Sequence, residues 1–185
     1  VRILSSSIAI NNGGSGSNST TSVPTTDQRG ASRNSTVDIG AFEYDGGDLT
    51  ITAPSIQASG ITFTANEYNR ISFYWTNGNG IRRTVFIKQG DSGTASPVDG
   101  TLYTASSVFG SGSQIGSSGW YSVYDGYGTS TTITNLVAST PYVVHVTEYN
   151  GIGTDASKYN INSATNNSLS TTTYTPTTLY VNSST

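Results

Sequence analysis

A set of short runs, each with strictly alternating apolar side chains and each closed by a turn signal, constrains this chain more than any other feature. In Ile71-Ser72-Phe73-Tyr74-Trp75 the residues Ile71, Phe73 and Trp75 share one face, and Asn77-Gly78-Asn79-Gly80 follows. From Tyr142 to Tyr149 the residues Tyr142, Val144 and Val146 point one way. A period of two belongs to a pleated strand with one face in a core, whereas a helix would need apolar residues three and four apart. Asn-Gly pairs supply the positive φ angles of two-residue hairpins, so 77–80 is read as consecutive tight turns. Similar runs span Ile56–Thr64 (interrupted at Gly60), Arg82–Lys88, Trp120–Tyr124, Thr131–Thr134 and Asn167–Tyr174. A long Gly/Ser-rich excursion, Asp91–Gly119, separates two of them. Short strands at this spacing predict an all-β sandwich or barrel rather than a parallel α/β sheet.

The residue content points the same way. The 29 Ser, 29 Thr, 15 Asn and 21 Gly favour turns and strand faces, while Leu, Lys, Met and Glu are scarce. The net charge is only −3 and Arg82-Arg83 is the one adjacent basic pair, so no nucleic-acid partner is expected. No apolar run is long enough to span a bilayer as a helix, and no membrane insertion is expected. With no Cys there are no disulfides, thiolate metal sites or thiol chemistry, and no cofactor is expected. With no Met either, the chain reads as processed or as a fragment of something longer.

Three regions differ in character: an irregular 1–48, the strand-rich 49–175, and an extended tail, 176–185. Within the second, Trp75 ends an alternating strand, and Leu136-Val137-Ala138-Ser139-Thr140-Pro141-Tyr142-Val143-Val144-His145-Val146 joins a Leu-containing turn to a Tyr that opens a valine-rich strand. This pattern resembles the fibronectin type III family. The resemblance implies an immunoglobulin-like β-sandwich with a core of Phe73, Trp75, Leu136, Tyr142, Val144 and Val146. It also implies a tyrosine corner in which the Tyr142 hydroxyl bonds backbone near Leu136, with Ser139-Thr140-Pro141 where the family usually has Gly-Thr. Trp75-Thr76-Asn77-Gly78-Asn79-Gly80, Gly119-Trp120-Tyr121-Ser122-Val123-Tyr124 and Glu148-Tyr149-Asn150-Gly151 resemble a long-insertion variant found in large secreted proteins of Gram-negative bacteria. Thr26–Arg33 followed by Asp38-Ile39-Gly40-Ala41-Phe42-Glu43 resembles the closing segment of a right-handed parallel β-helix. Thr178-Leu179-Tyr180-Val181-Asn182 resembles the opening strand of another such domain. These resemblances imply an extracellular or cell-surface setting. They also imply a structural or adhesive role in which the module meets neighbouring modules or copies of itself, with Leu179, Tyr180 and Val181 as a candidate inter-subunit strand.

Candidate chemistry is sparse, and the chain is read as non-enzymatic. His145, the only His, lies opposite Tyr142, Val144 and Val146; catalysis would need a base and nucleophile held together, and no nucleophile-elbow motif is present. Glu148 falls on the inward face, where a carboxylate needs a partner; Arg82 or Arg83 on the third strand can supply one. Asp27, Arg29, Arg33, Asp38 and Glu43 read as a polar cap on a β-helix end, or else a ligand site. Asp45-Gly46-Gly47-Asp48 reads as a linker, with calcium the alternative. Trp120, Tyr121, Tyr124 and Tyr127 are the candidate surface if the module binds a glycan as an accessory of a larger enzyme; strand packing is the other reading. Four N-x-[ST] sites, at Asn18, Asn34, Asn166 and Asn182, are the number that chance supplies in so polar a chain.

Overall fold

The computed structural model describes residues 51–151 and 157–176, all within the unit Ile51–Thr185. Eight strands follow one another: β1 (Ser59–Asn66), β2 (Ile71–Thr76), β3 (Arg82–Gln89), β4 (Tyr121–Gly126), β5 (Ser130–Ile133), β6 (Pro141–Asn150), β7 (Lys158–Tyr159) and β8 (Leu169–Thr172). They form two antiparallel sheets, β1-β2-β5 and β4-β3-β6-β7, with β8 also paired to β6. No helix occurs among the described residues. Three strands packed on a sheet centred on β3 and β6 make a fibronectin type III-like β-sandwich.

The alternating residues of both sheets meet in one core. Ile71, Phe73 and Trp75 from β2 pack with Val85 and Ile87 from β3 and with Tyr142, Val144 and Val146 from β6. Leu136 closes one end of it, 6% exposed. Edge-on aromatic contacts run through the cluster, from Phe63 to Phe73 at 5.7 Å and from Trp75 to Tyr124 at 5.5 Å between centroids. The Tyr142 hydroxyl accepts a 3.0 Å hydrogen bond from the Val137 amide, which closes a tyrosine corner. Ser139 takes φ +53° there, the left-handed conformation that a glycine would adopt without cost. Thr173 braces the corner by donating to the Val137 carbonyl at 2.6 Å and accepting from the Thr140 amide at 3.0 Å.

The Gly/Ser-rich excursion after β3 covers the outer face of the larger sheet. There Ala95, Tyr103, Ile115 and Trp120 pack on Phe86, Val143, Tyr149 and Tyr159 in a second buried cluster. As a result β6 is buried on both faces. The excursion is tied down by backbone bonds at two places. The Ser122 amide donates to the Ser113 carbonyl, and the Gly100 amide to the Ser157 carbonyl. Asp99 accepts from the Tyr159 amide at 2.9 Å and pairs with Lys158 at 3.0 Å. Phe109 bridges to the first core, 5.2 Å from the Tyr142 ring.

Side-chain amides seal the stretch of β6 that lies between its pairings with β8 and β7. Asn167 accepts from the Val146 amide at 3.0 Å and donates to the Val146 carbonyl at 2.7 Å, so it imitates a peptide group of a neighbouring strand. Its amide also reaches the Ala58 carbonyl at 2.8 Å, linking the two sheets. Gln57 accepts from the Glu148 amide at 2.8 Å in the same gap. An open edge there would leave backbone donors free to recruit another strand.

The incoming and outgoing segments lie at opposite poles. Ile56 exchanges backbone and side-chain bonds with Asn79 in the β2–β3 turn, and the Thr52 carbonyl accepts from Asn150 at the end of β6. At the other pole the Tyr174 amide donates to the Glu67 carbonyl in the β1–β2 turn, and the Tyr174 carbonyl accepts from Ser139, just ahead of β6.

Candidate functional site

The register of β3 on β6 sets Arg83 opposite Glu148 and Arg82 opposite Tyr149. Neighbours on a strand point to opposite faces, so the two arginines serve opposite sides of the sheet. On the inner side, Arg83 Nε and Nη2 each lie 3.1 Å from a Glu148 carboxylate oxygen, with Glu148 fully buried and Arg83 4% exposed. Glu148 also accepts from the amides of Gly78 at 2.9 Å and Gly80 at 3.1 Å. The carboxylate therefore anchors the β2–β3 turn. The Asn-Gly-Asn-Gly sequence predicted glycines with positive φ, but neither Gly78 nor Gly80 has one. Close approach is the actual requirement: a Cβ at Gly78 would sit 2.0 Å from the Ile56 carbonyl oxygen, and one at Gly80 2.6 Å from Glu148 Oε2.

On the outer side, Arg82 Nη2 meets Asp125 Oδ2 at 2.8 Å, Arg82 Nε donates to the Tyr149 hydroxyl at 2.9 Å, and that hydroxyl donates to Asp125 Oδ1 at 2.8 Å. The Asp125 carboxylate raises the pKa of Arg82 above its ordinary value. Burial, then the same carboxylate, pushes Tyr149 up to about 12. Both groups thus keep their protons across the physiological range. The triad forms one wall of an open groove of about 510 Å³, whose other walls include Leu102, Tyr103 and Thr104 from the excursion.

The four aromatics singled out in the sequence go to different places. Trp120 is 4% exposed in the second cluster, with Lys88 Nζ 5.1 Å from its ring centroid. Tyr121 is half-buried against Phe109 at 5.4 Å, and Tyr124 packs on Trp75 while its hydroxyl accepts from the Gly128 amide. Only Tyr127 stands open, 66% exposed, with the Arg82 guanidinium 4.7 Å from its ring. They do not form one stacking surface, because the excursion covers Trp120 and the sandwich core takes Tyr124. The groove walled by Arg82, Asp125 and Tyr149 was not singled out in the sequence, and Tyr127 is not among its lining residues.

His145 sits under the excursion with no exposed surface. Its Nδ1 is 2.8 Å from Ser168 Oγ, its ring is 6.4 Å from Trp120, and Nε2 has no hydrogen-bond partner among the described residues. Burial lowers its pKa to about 4, so the imidazole is neutral at physiological pH. With no carboxylate on Nε2, the ring is a weak base, and its contact with Ser168 fixes the start of β8. Among the described residues no group of three or more His, Asp or Glu side chains is arranged to hold a metal ion.

No known protein-family model matches the chain, and no curated protein does. Solved structures do. A fibronectin type III domain of human fibronectin type III domain containing protein 3 is 19% identical, covering 69% of this chain and 93% of that one, with a TM-score of 0.40. A fourth fibronectin type III domain of human origin is 13% identical, covering 71% and 90%, with a TM-score of 0.42. The FN5 domain of Drosophila Lar is 10% identical, covering 66% and 99%, with a TM-score of 0.38. The fold assignment rests on strand order, register and the tyrosine corner.

Several sequence-level candidates lie outside the described residues: the Asp27–Glu43 charge cluster, Asp45-Gly46-Gly47-Asp48, the inter-subunit strand Leu179-Tyr180-Val181, and the sites at Asn18, Asn34 and Asn182. Asn166, the remaining N-x-[ST] site, is exposed and adopts φ +52°.

Proposed function

We propose that this chain contributes an in-line structural module, non-catalytic, to an extracellular bacterial surface protein or filament. The observation that carries this reading is the placement of incoming and outgoing chain at opposite poles, each pinned by backbone bonds. A tension along the chain then runs parallel to the strands. Antiparallel ladder bonds lie perpendicular to the strands, so such a load acts on many of them at once instead of opening them one by one. The side-chain amides along β6 and the buried Arg83–Glu148 pair support the same reading, since both hold strands together rather than face a ligand. The extracellular setting rests on the resemblance of the long-insertion pattern to secreted bacterial proteins. Self-association is part of the proposal: Leu179-Tyr180-Val181 would add to an edge strand of a neighbouring module or copy.

Stretching a tandem of copies in a force microscope tests the module reading. Each copy should rupture in a single cooperative event that releases roughly 400 Å of chain, the extended length of the folded residues less the folded span. Gradual lengthening at low force, with no discrete ruptures, would overturn it. Tyr180→Pro should abolish concentration-dependent assembly seen by light scattering; assembly unaffected by it would remove the strand-addition part alone.

A further inference from the structure

We infer that Asn77-Gly78 and Asn79-Gly80, in the β2–β3 turn, form a latent deamidation site that the Glu148 carboxylate holds shut in the folded chain. This goes beyond the structural reading and does not rest on it. Asn-Gly pairs are prone to this reaction because glycine puts no side chain in its way. The glycine amide nitrogen attacks the asparagine Cγ and an N–C bond forms. The side-chain nitrogen leaves as ammonia, taking up the proton that the amide lost. Water then opens the succinimide ring at either carbonyl and leaves aspartate or isoaspartate. The attack needs an amide N–H that a base can deprotonate. It also needs an asparagine side chain free to swing its Cγ onto the next nitrogen.

The turn withholds both at each pair. The Gly78 amide donates to Glu148 Oε1 at 2.9 Å, and the Gly80 amide donates to Oε2 at 3.1 Å. A buried carboxylate at that distance opposes loss of either proton, since the amide anion would face a like charge. Arg83 Nε and Nη2 bind the same carboxylate at 3.1 Å and fix its position. The asparagine side chains are engaged elsewhere. Asn77 Oδ1 accepts from the Trp75 indole at 2.9 Å. Asn79 Oδ1 accepts from the Ile56 amide at 2.8 Å, and its Nδ2 donates to Ser55 Oγ at 2.9 Å. Nor is there room for the product. A Cβ at Gly78 would already lie 2.0 Å from the Ile56 carbonyl oxygen, and isoaspartate at 77 lengthens the backbone by a methylene just ahead of it. Conversion at either asparagine would pull a glycine amide off Glu148 and loosen the other pair, so the first event licenses the second.

Incubating the full chain in mildly alkaline buffer, digesting it, and measuring aspartate and isoaspartate at positions 77 and 79 by mass spectrometry tests the site. A synthetic peptide spanning Tyr74–Arg82 gives the unguarded rate. The folded parent should convert roughly ten- to a hundredfold more slowly than the peptide at both positions, the factor that one hydrogen bond to a charged group supplies. Glu148→Gln puts a donor where one of the two acceptor oxygens stood, and should recover most of the peptide's rate. Trp120→Ala, for which a similar loss of stability is expected, leaves Glu148 in place and should stay as slow as the parent. A rise confined to Glu148→Gln thus separates the guard from general unfolding. Conversion of the parent at the peptide's rate overturns the inference. So does a folded Glu148→Gln as slow as the parent, or Trp120→Ala as fast as the peptide. Where Glu148→Gln does not fold, the parent and Trp120→Ala, each set against the peptide, decide the question by themselves.

Discussion

Acidification should destabilise this sandwich through His145 in a window that its burial defines. The imidazole has no exposed surface, and its one hydrogen bond among the described residues is to Ser168. Trp120 packs edge-on against it, Lys88 lies over that Trp ring, and among the described residues no carboxylate hydrogen-bonds to His145. Burial takes its pKa from the ordinary 6.5 down to about 4. The native state therefore binds this proton less readily than the unfolded chain does. The stability that His145 contributes is complete above pH 6.5 and is lost as pH falls from there to about 4. At 1.36 kcal/mol per pH unit, the interval corresponds to about 3 kcal/mol. Urea unfolding can measure it by the fluorescence of Trp75 and Trp120, the two tryptophans, both buried. His145→Gln removes the titrating group and keeps a polar side chain facing Ser168. The parent-minus-variant stability difference should be constant above pH 7 and should shrink by about 3 kcal/mol by pH 4. Curves that stay parallel throughout would refute the reasoning, because they would mean that His145 titrates alike in both states.

Other perturbations follow from the same packing. Glu148→Gln leaves the Arg83 charge buried and weakens the anchor of the β2–β3 turn; a loss of about 3–5 kcal/mol in urea unfolding is expected. Trp120→Ala should cost about 3–5 kcal/mol and open Asp91–Gly119 to limited proteolysis, whereas a change in the first core should speed cleavage everywhere. Ser139→Gly relieves the left-handed φ and should raise stability by about 0.5–1 kcal/mol, while Tyr142→Phe removes the corner bond to Val137 and should lower it by about 1 kcal/mol. Gly80→Ala should be more damaging than an alanine in an ordinary turn, since its methyl meets Glu148 and the Tyr149 amide; thermal melting would show this.

The first core was legible because β2 and β6 obey a period of two, and because Tyr142 opens its strand after a Leu-containing turn. Phe73, Trp75, Tyr142, Val144 and Val146 follow that alternation, while Leu136, in the turn before β6, is placed by the resemblance to the fibronectin type III pattern. Of the two candidate partners for Glu148, the ladder selects Arg83 and leaves Arg82 to Asp125; a one-residue difference in register decides this, and turn composition does not fix it. The second core was harder to see. Its signal was present: Val85-Phe86-Ile87 and Tyr142–Val146 are apolar on both faces, as strands covered on both sides are. What covers the outer face is the Gly/Ser-rich excursion, whose few apolar anchors (Ala95, Tyr103, Ile115) have no period to reveal them. For the same reason the sequence leaves Trp120 open between a glycan-facing surface and strand packing, and the structure buries it. The groove at Arg82 and Asp125 joins residues 43 positions apart through strand pairing, and composition does not announce it.

Ile56 and Tyr174 are the natural reporters of the polar arrangement, since both side chains are exposed and both backbones are pinned. The chain has no Cys, so Ile56→Cys and Tyr174→Cys accept two spin labels and nothing else does. Pulsed electron resonance should return one narrow distance of roughly 30 Å, the length of a strand such as β6 at about 3.3 Å per residue. A separation below roughly 15 Å, or a broad distribution, would place both ends at one pole or leave them unpinned, and would contradict the in-line module.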